Sequence, residues 1–193
     1  YEFFTSPAFF EMLPPPEERP FVDEHGNIMD VDLYDPSNWV RYKWSVFSVK
    51  EQRRLEKRYK KRFPSTWKKE IAKENEKRLR YLKAVLERTR KFHEAIDEAT
   101  KVIDPSVALY SFILKAGPTL DRVEFSRNPG KLRFGDPSLV SSRFTLGDLI
   151  VTNRSMHGNY KEHAPQEIIL NGKHRQMANN RTLHMKVIEL LLR

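Results

Sequence analysis

Val107-Ala108-Leu109-Tyr110-Ser111-Phe112-Ile113-Leu114, closed by Gly117-Pro118, is the stretch on which the fold turns. A nearly continuous apolar run of this length, bounded by turn residues, reads as a strand buried on both faces, the kind that fills a parallel sheet. Two further short runs follow. Leu132-Arg133-Phe134 ends at Gly135-Asp136, and Glu167-Ile168-Ile169-Leu170 ends at Asn171-Gly172. Strands are therefore expected near 107–115, 131–135 and 166–170. Asn180 or Thr182 then opens an amphipathic helix with Leu183, Val187, Leu190 and Leu191 on one face. Strand, loop, strand, loop, helix is the texture of the closing half of an α/β sheet.

Upstream the period changes from strand to helix. Ser48-Val49-Lys50-Glu51 has capping-box spacing and starts a helix reaching about Arg62. Phe63-Pro64-Ser65 interrupts it, because proline lacks the N–H and disfavours helix in the residue before it. A longer helix is expected from about Thr66 to Thr100. Its apolar stripe runs through Leu79, Leu82, Leu86, His93 and Ile96, led by Trp67 and Ile71 and widened by Tyr81, Val85 and Phe92. Residues 1–48 are aromatic and proline-rich and read as loops, with a hairpin turn at His25-Gly26-Asn27. A short helix there is capped by Asp35, with Pro36 in its first position.

The 193 residues carry a net charge of +9, unevenly placed. Between Lys50 and Lys101 stand 19 Lys and Arg against nine Asp and Glu, whereas the rest of the chain has 16 against 17. A neutral body with one cationic layer fits this better than a uniformly basic nucleic-acid binder. With no cysteine there is no disulfide scaffold, thiolate metal site or cysteine nucleophile. No apolar run is long enough for a transmembrane helix, and compartment is otherwise unmarked. The chain starts at Tyr1-Glu2-Phe3-Phe4 without an initiator methionine, so a processed product or a piece of a longer chain is expected.

The sequence holds no GxGxxG, P-loop, HExxH or G-x-S-x-G motif. Among six scattered histidines, His174 stands out because it follows the last expected strand. Asp136 stands out because it lies directly beyond an earlier one, where open α/β sheets place functional groups. Acid after one late strand and histidine after the last is the chain order of α/β-hydrolases.

The segment from Glu167 to Leu183, with His174 and Met177, resembles the histidine segment of the lecithin:cholesterol acyltransferase-like family of lipases, phospholipases and phospholipid acyltransferases. Lys115-Ala116-Gly117-Pro118-Thr119-Leu120-Asp121 is similar to that family's G-x-x-x-P-T strand exit. Gly135-Asp136, followed by Pro137, Ser138 and Val140, resembles its G-D-G-T-V acid motif. Met12-Leu13-Pro14, Phe21 to Asn27, Tyr34-Asp35-Pro36 and Trp39 resemble its cap region.

The resemblance implies the C-terminal half of an α/β-hydrolase sheet with a mainly helical, basic cap insertion. The cap region would be 1–103 and the α/β half 104–193. Asp136 would be the triad acid and His174 the general base, in a serine lipid ester hydrolase or acyltransferase that needs no metal or organic cofactor. The nucleophilic serine belongs to the family's first half, so a second chain or missing N-terminal half is the expected partner, and this chain alone is expected to be inactive. His163 and His157, which precede the last strand, are not expected at the site.

The basic segment suits a solvated cap face, an anionic membrane surface, or a line of nucleic-acid phosphates. No nucleic-acid-binding signature accompanies it. The hydrolase resemblance alone ranks a lipid or other ester substrate with membrane-surface contact above nucleic acid. The alternative to an enzyme is a non-catalytic interaction module whose basic helical arm binds anionic lipid or nucleic acid. Far-UV circular dichroism is expected to show helix exceeding strand; an all-helical spectrum, with 107–115 continuing the long helix, would overturn the α/β assignment.

Overall fold

The computed structural model describes residues 2–104, 106–125, 132–133, 144–157 and 166–192. Asp136, His163, Ser141 and Ser142 lie outside the described residues, as does the side chain of His157. The chain divides into two units, 1–96 with 125–132, and 97–124 with 133–193. The division thus falls a little before the expected 103/104 boundary, and residues 125–132 go with the first unit.

The first unit is organised by aromatic packing. Two short helices, α1 (Glu2–Thr5) and α2 (Pro7–Glu11), replace the loops expected there. They bring Phe4 and Phe10 against Tyr81 of the long helix. A two-residue strand β1 (Phe21–Val22) leads to the turn at Gly26, whose φ of 85° is the left-handed conformation glycine adopts without strain. The Asp23 carboxylate accepts from the backbone N–H groups of His25 and Asn27 and so holds that turn. Helix α3 (Pro36–Arg41) is capped by the Asp35 side chain, which accepts from Ser37 N–H. Trp39, on α3, donates its indole N–H to the Leu33 carbonyl and packs on Phe10 and Trp44. Phe21, Tyr42 and Trp44 close around Phe125.

Helix α4 (Val49–Arg62) starts where Ser48 Oγ accepts from Glu51 N–H. Helix α5 (Trp67–Thr100) follows the Phe63–Thr66 break. The inward stripe of α5 differs from the expected one. Arg78, Leu82, Val85, Leu86 and Thr89 are buried, whereas Leu79, Phe92 and Ile96 are exposed. The stripe includes two polar residues because each brings its own partners. Arg78 pairs with Glu74 and donates to the Val46 carbonyl, and Thr89 Oγ1 donates to the Val85 carbonyl one turn back. Burial of polar groups costs little once they are bonded.

In the second unit, β2 (Tyr110–Lys115) pairs in parallel with β7 (Gln166–Asn171), from Tyr110 opposite Gln166 to Lys115 opposite Asn171. Ile113, Leu114 and Leu170 are the buried side chains of that pair. The apolar run is thus a parallel strand, although it begins at Tyr110. Residues 106–107 are spent in a turn at Asp104, which accepts from Ser106 N–H.

Gly117-Pro118 does not end the strand region. The chain continues as β3 (Gly117–Leu120), antiparallel to β6 (Phe144–Gly147), a strand the sequence reading did not contain. Proline is tolerated there because a two-stranded sheet consists of edges. The short strands β4 (Val123–Phe125) and β5 (Leu132–Arg133) lie between them in sequence. Helix α6 (Asn153–His157) follows β6, and α7 (Arg181–Leu191) starts at Asn180, whose side chain accepts from Leu183 N–H. No side chain of α7 is buried. Its Val187, Ile188 and Leu191 are exposed, as is Ile169 of β7.

Mixed helix and strand with small sheets is therefore the observed architecture. Leu82 is fully buried, so Leu82→Ala is expected to cost the first unit about 2–5 kcal/mol in chemical denaturation.

Candidate functional site

The site is built around Asp148, the most deeply buried carboxylate of the second unit. Strand β6 ends at Gly147, where any side chain is excluded: a Cβ would collide with the Val151 carbonyl oxygen and the Thr119 side chain. That contact brings the next residues, Asp148 to Thr152, into a tight loop folded back on the strand end. Asp148 N–H donates to the Val151 carbonyl at 3.1 Å. Leu149 takes a φ of 79°, and its N–H donates to the hydroxyl of buried Thr119 at 2.9 Å. In that fold the N–H groups of Ile150 (3.0 Å) and Val151 (2.7 Å) both donate to Asp148 Oδ1.

His174 begins a 3-10 turn (His174–Asn179) just beyond β7. Its backbone N–H donates to the Asp148 carbonyl at 3.1 Å, and its ring Nδ1 lies 2.7 Å from Asp148 Oδ2. The histidine is therefore held at two points by one residue. The Asp148 side chain is 1% exposed and the His174 side chain 43%. The first polar residue after β6 thus meets the first turn after β7.

Burial pushes the Asp148 carboxyl up. The Val151 N–H, the His174 ring and the Ile150 N–H together outweigh it, and the group sits below its ordinary value of 3.8. An ionised carboxylate only accepts, so the proton of neutral His174 resides on Nδ1. Nε2, across the ring, carries the lone pair and has no partner among the described residues. A half-exposed imidazole with a fixed tautomer and an open basic nitrogen is equipped to take and return a proton.

Of the two residues singled out from the sequence, the structure describes His174, whose Nδ1 lies against the Asp148 carboxylate; Asp136 lies outside the described residues. Asp148 was legible in one respect. It is the only charge in Leu146-Gly147-Asp148-Leu149-Ile150-Val151, and a charge in so apolar a stretch has to be paired if that stretch is buried. Among the described residues no group of three His, Asp or Glu side chains gathers as metal ligands would. Comparison with protein-family models, curated proteins and solved structures found no match.

Asp148→Ala would strip the acceptor from two backbone N–H groups and the ring, with an expected loss of about 3 kcal/mol or more in chemical denaturation. The depressed carboxyl sets the sign of the pH effect. The stabilisation is complete above pH 3.8 and is lost as pH falls through the lower folded-state value. In acid titrations followed by circular dichroism, Asp148→Asn is expected to be less stable than wild type at neutral pH. It should lack the part of the acid-induced loss that lies below pH 3.8. Parallel curves for the two proteins would show that the pair contributes nothing.

Proposed function

We propose that Asp148 and His174 are the acid and base of a serine-triad lipid ester hydrolase or acyltransferase, with the nucleophile supplied by a segment or chain outside this sequence. The observation that carries this reading is the 2.7 Å contact between a fully buried carboxylate and Nδ1 of a half-exposed histidine, each just beyond the end of a strand. The resemblance to the lecithin:cholesterol acyltransferase-like family supports it at a new position. Gly147-Asp148-Leu149-Ile150-Val151 repeats the Gly, Asp and Val of the G-D-G-T-V motif. Where the motif has its second glycine, Leu149 adopts a φ of 79°, a conformation glycine takes without strain. The acid thus moves from Asp136 to Asp148, and the order acid-then-histidine is kept.

In this mechanism Nε2 of His174 removes the proton of a serine hydroxyl as the serine oxygen attacks the ester carbonyl. Asp148 stabilises the imidazolium that forms. The same proton then passes from Nε2 to the departing alcohol, and the acyl group stays on the serine. A water or an acceptor alcohol, deprotonated in turn by Nε2, releases it. The uncovered apolar side chains of α7 and Ile169 suit a unit that meets further protein, as a sheet lacking its other half would.

The test uses the natural protein as isolated from its source. A fluorophosphonate probe is expected to label one serine, mapped by mass spectrometry to a peptide outside residues 1–193. His174→Ala should abolish both labelling and hydrolysis of a short-chain nitrophenyl ester, and Asp148→Asn should lower kcat by about four orders of magnitude. Asp136→Asn should leave kcat within a few-fold. Unchanged ester cleavage in His174→Ala, or a larger loss from Asp136→Asn than from Asp148→Asn, would overturn the assignment.

A further inference from the structure

We propose that the turn between α4 and α5, residues 57–69, is a docking site for the surface of an anionic phospholipid membrane. Seven of the 19 basic residues in the helical region fall in these 13 positions, and none of its nine acidic ones does. Lys57, Arg58, Lys60, Lys61, Arg62, Lys68 and Lys69 are all exposed. Among the described residues, Lys60 alone of the seven has an ion-pair partner, Glu56.

Further along, cations and carboxylates are mixed. On the exposed face Lys73 and Lys91 of α5, and Lys101 just past its end, pair with Glu70, Glu87 and Glu98. The buried Arg78 pairs with Glu74, and Lys77, Arg80 and Lys83 are exposed with no ion-pair partner among the described residues. Helix stability accounts for cations in the last turn of α4, where the carbonyl ends attract them. It does not account for Lys68 and Lys69 in the first turn of α5, where the helix dipole opposes positive charge. Unpaired charge of one sign, kept where it costs the helix, points to an anionic partner.

The aromatic residues of the turn narrow the choice of partner. Tyr59, Phe63 and Trp67 are half-buried among the cations. The Lys60 ammonium lies 4.5 Å and the Lys68 ammonium 5.5 Å from the Trp67 ring centroid, Arg58 lies 5.5 Å from Tyr59, and Arg62 lies 5.2 Å from Phe63. Stacking on nucleic-acid bases needs free ring faces, and here cations already sit over them. At a membrane surface the same arrangement is productive. Trp and Tyr settle at headgroup depth while Lys and Arg reach the lipid phosphates.

This inference stands apart from the Asp148–His174 reading and is measured without turnover. The chain is sedimented with phosphatidylcholine vesicles, with or without about one quarter phosphatidylserine. Binding is expected only with the anionic lipid and should weaken as salt is raised. Each cation near an anionic surface strengthens binding about fivefold. The combined Lys60→Ala, Lys61→Ala and Arg62→Ala variant should therefore bind roughly a hundredfold more weakly. If that variant melts early, Lys68→Ala with Lys69→Ala replaces it, with a loss of roughly thirtyfold. The matched set Lys73→Ala, Lys91→Ala and Lys101→Ala should bind within a few-fold of wild type, and His174→Ala should bind as wild type. Equal losses from the two lysine sets, absence of vesicle binding, or tighter binding to duplex DNA than to anionic vesicles would overturn the proposal.

Discussion

The second unit depends on how it manages the buried negative charge of Asp148. An ionised carboxylate taken out of water is expensive unless hydrogen bonds surround it. Asp148 obtains them from two backbone N–H groups of its own loop and from the ring N–H of His174. Each of those partners then has to be held in place. Gly147 lets the loop fold onto Thr119, Thr119 Oγ1 fixes Leu149, and the parallel pairing of β2 and β7 delivers His174 to the end of its strand. The tautomer of the histidine is settled by the same contact. A demand set by desolvation thereby produces a group suited to proton transfer.

The parts of this arrangement that were legible in the sequence are those fixed by local chemistry. Ser48, Asp35 and Asn180 cap helices, as their side chains and spacing suggest. Gly26 takes the turn with positive φ. His174 follows a strand that exists. What escaped were the features decided by distant partners. Phe144–Gly147 is too short and too weakly patterned to read as a strand without its pairing to Gly117–Leu120. The Gly-Asp pair at 147–148 gives the same local signal as the one at 135–136, and its contact with His174 is decided only in space. The inward stripe of α5 was displaced for a related reason: Arg78 and Thr89 look solvent-facing until their partners Glu74, Val46 and Val85 are known.

Apolar surface is handled in opposite ways by the two units. In the first, rings from α1, α2, α3 and the Trp44 turn close on one another and on α5. The core is therefore built mainly from aromatic side chains contributed by short, irregular segments. In the second, α7 has the amphipathic pattern expected of a packed helix, yet buries nothing among the described residues. A pattern written for burial but left uncovered is more informative than a scattered exposed leucine, because surface apolar residues occurring singly are normal.

The same electrostatic rule, applied twice, separates the two functional features. At Asp148 the charge is enclosed and both carboxylate oxygens are hydrogen-bonded, so its influence is short-ranged and falls on one imidazole. At residues 57–69 the charges are exposed and, apart from Lys60, have no ion-pair partner among the described residues, so their field reaches into solvent over about a Debye length of 8–10 Å. Compensated charge fixes geometry, which is what proton transfer at a defined atom requires. Uncompensated charge fixes no geometry and instead raises the local concentration of whatever carries the opposite sign. Substitutions at either place therefore act on different observables: at the first on the stability and protonation of a single pair, at the second on the salt dependence of association.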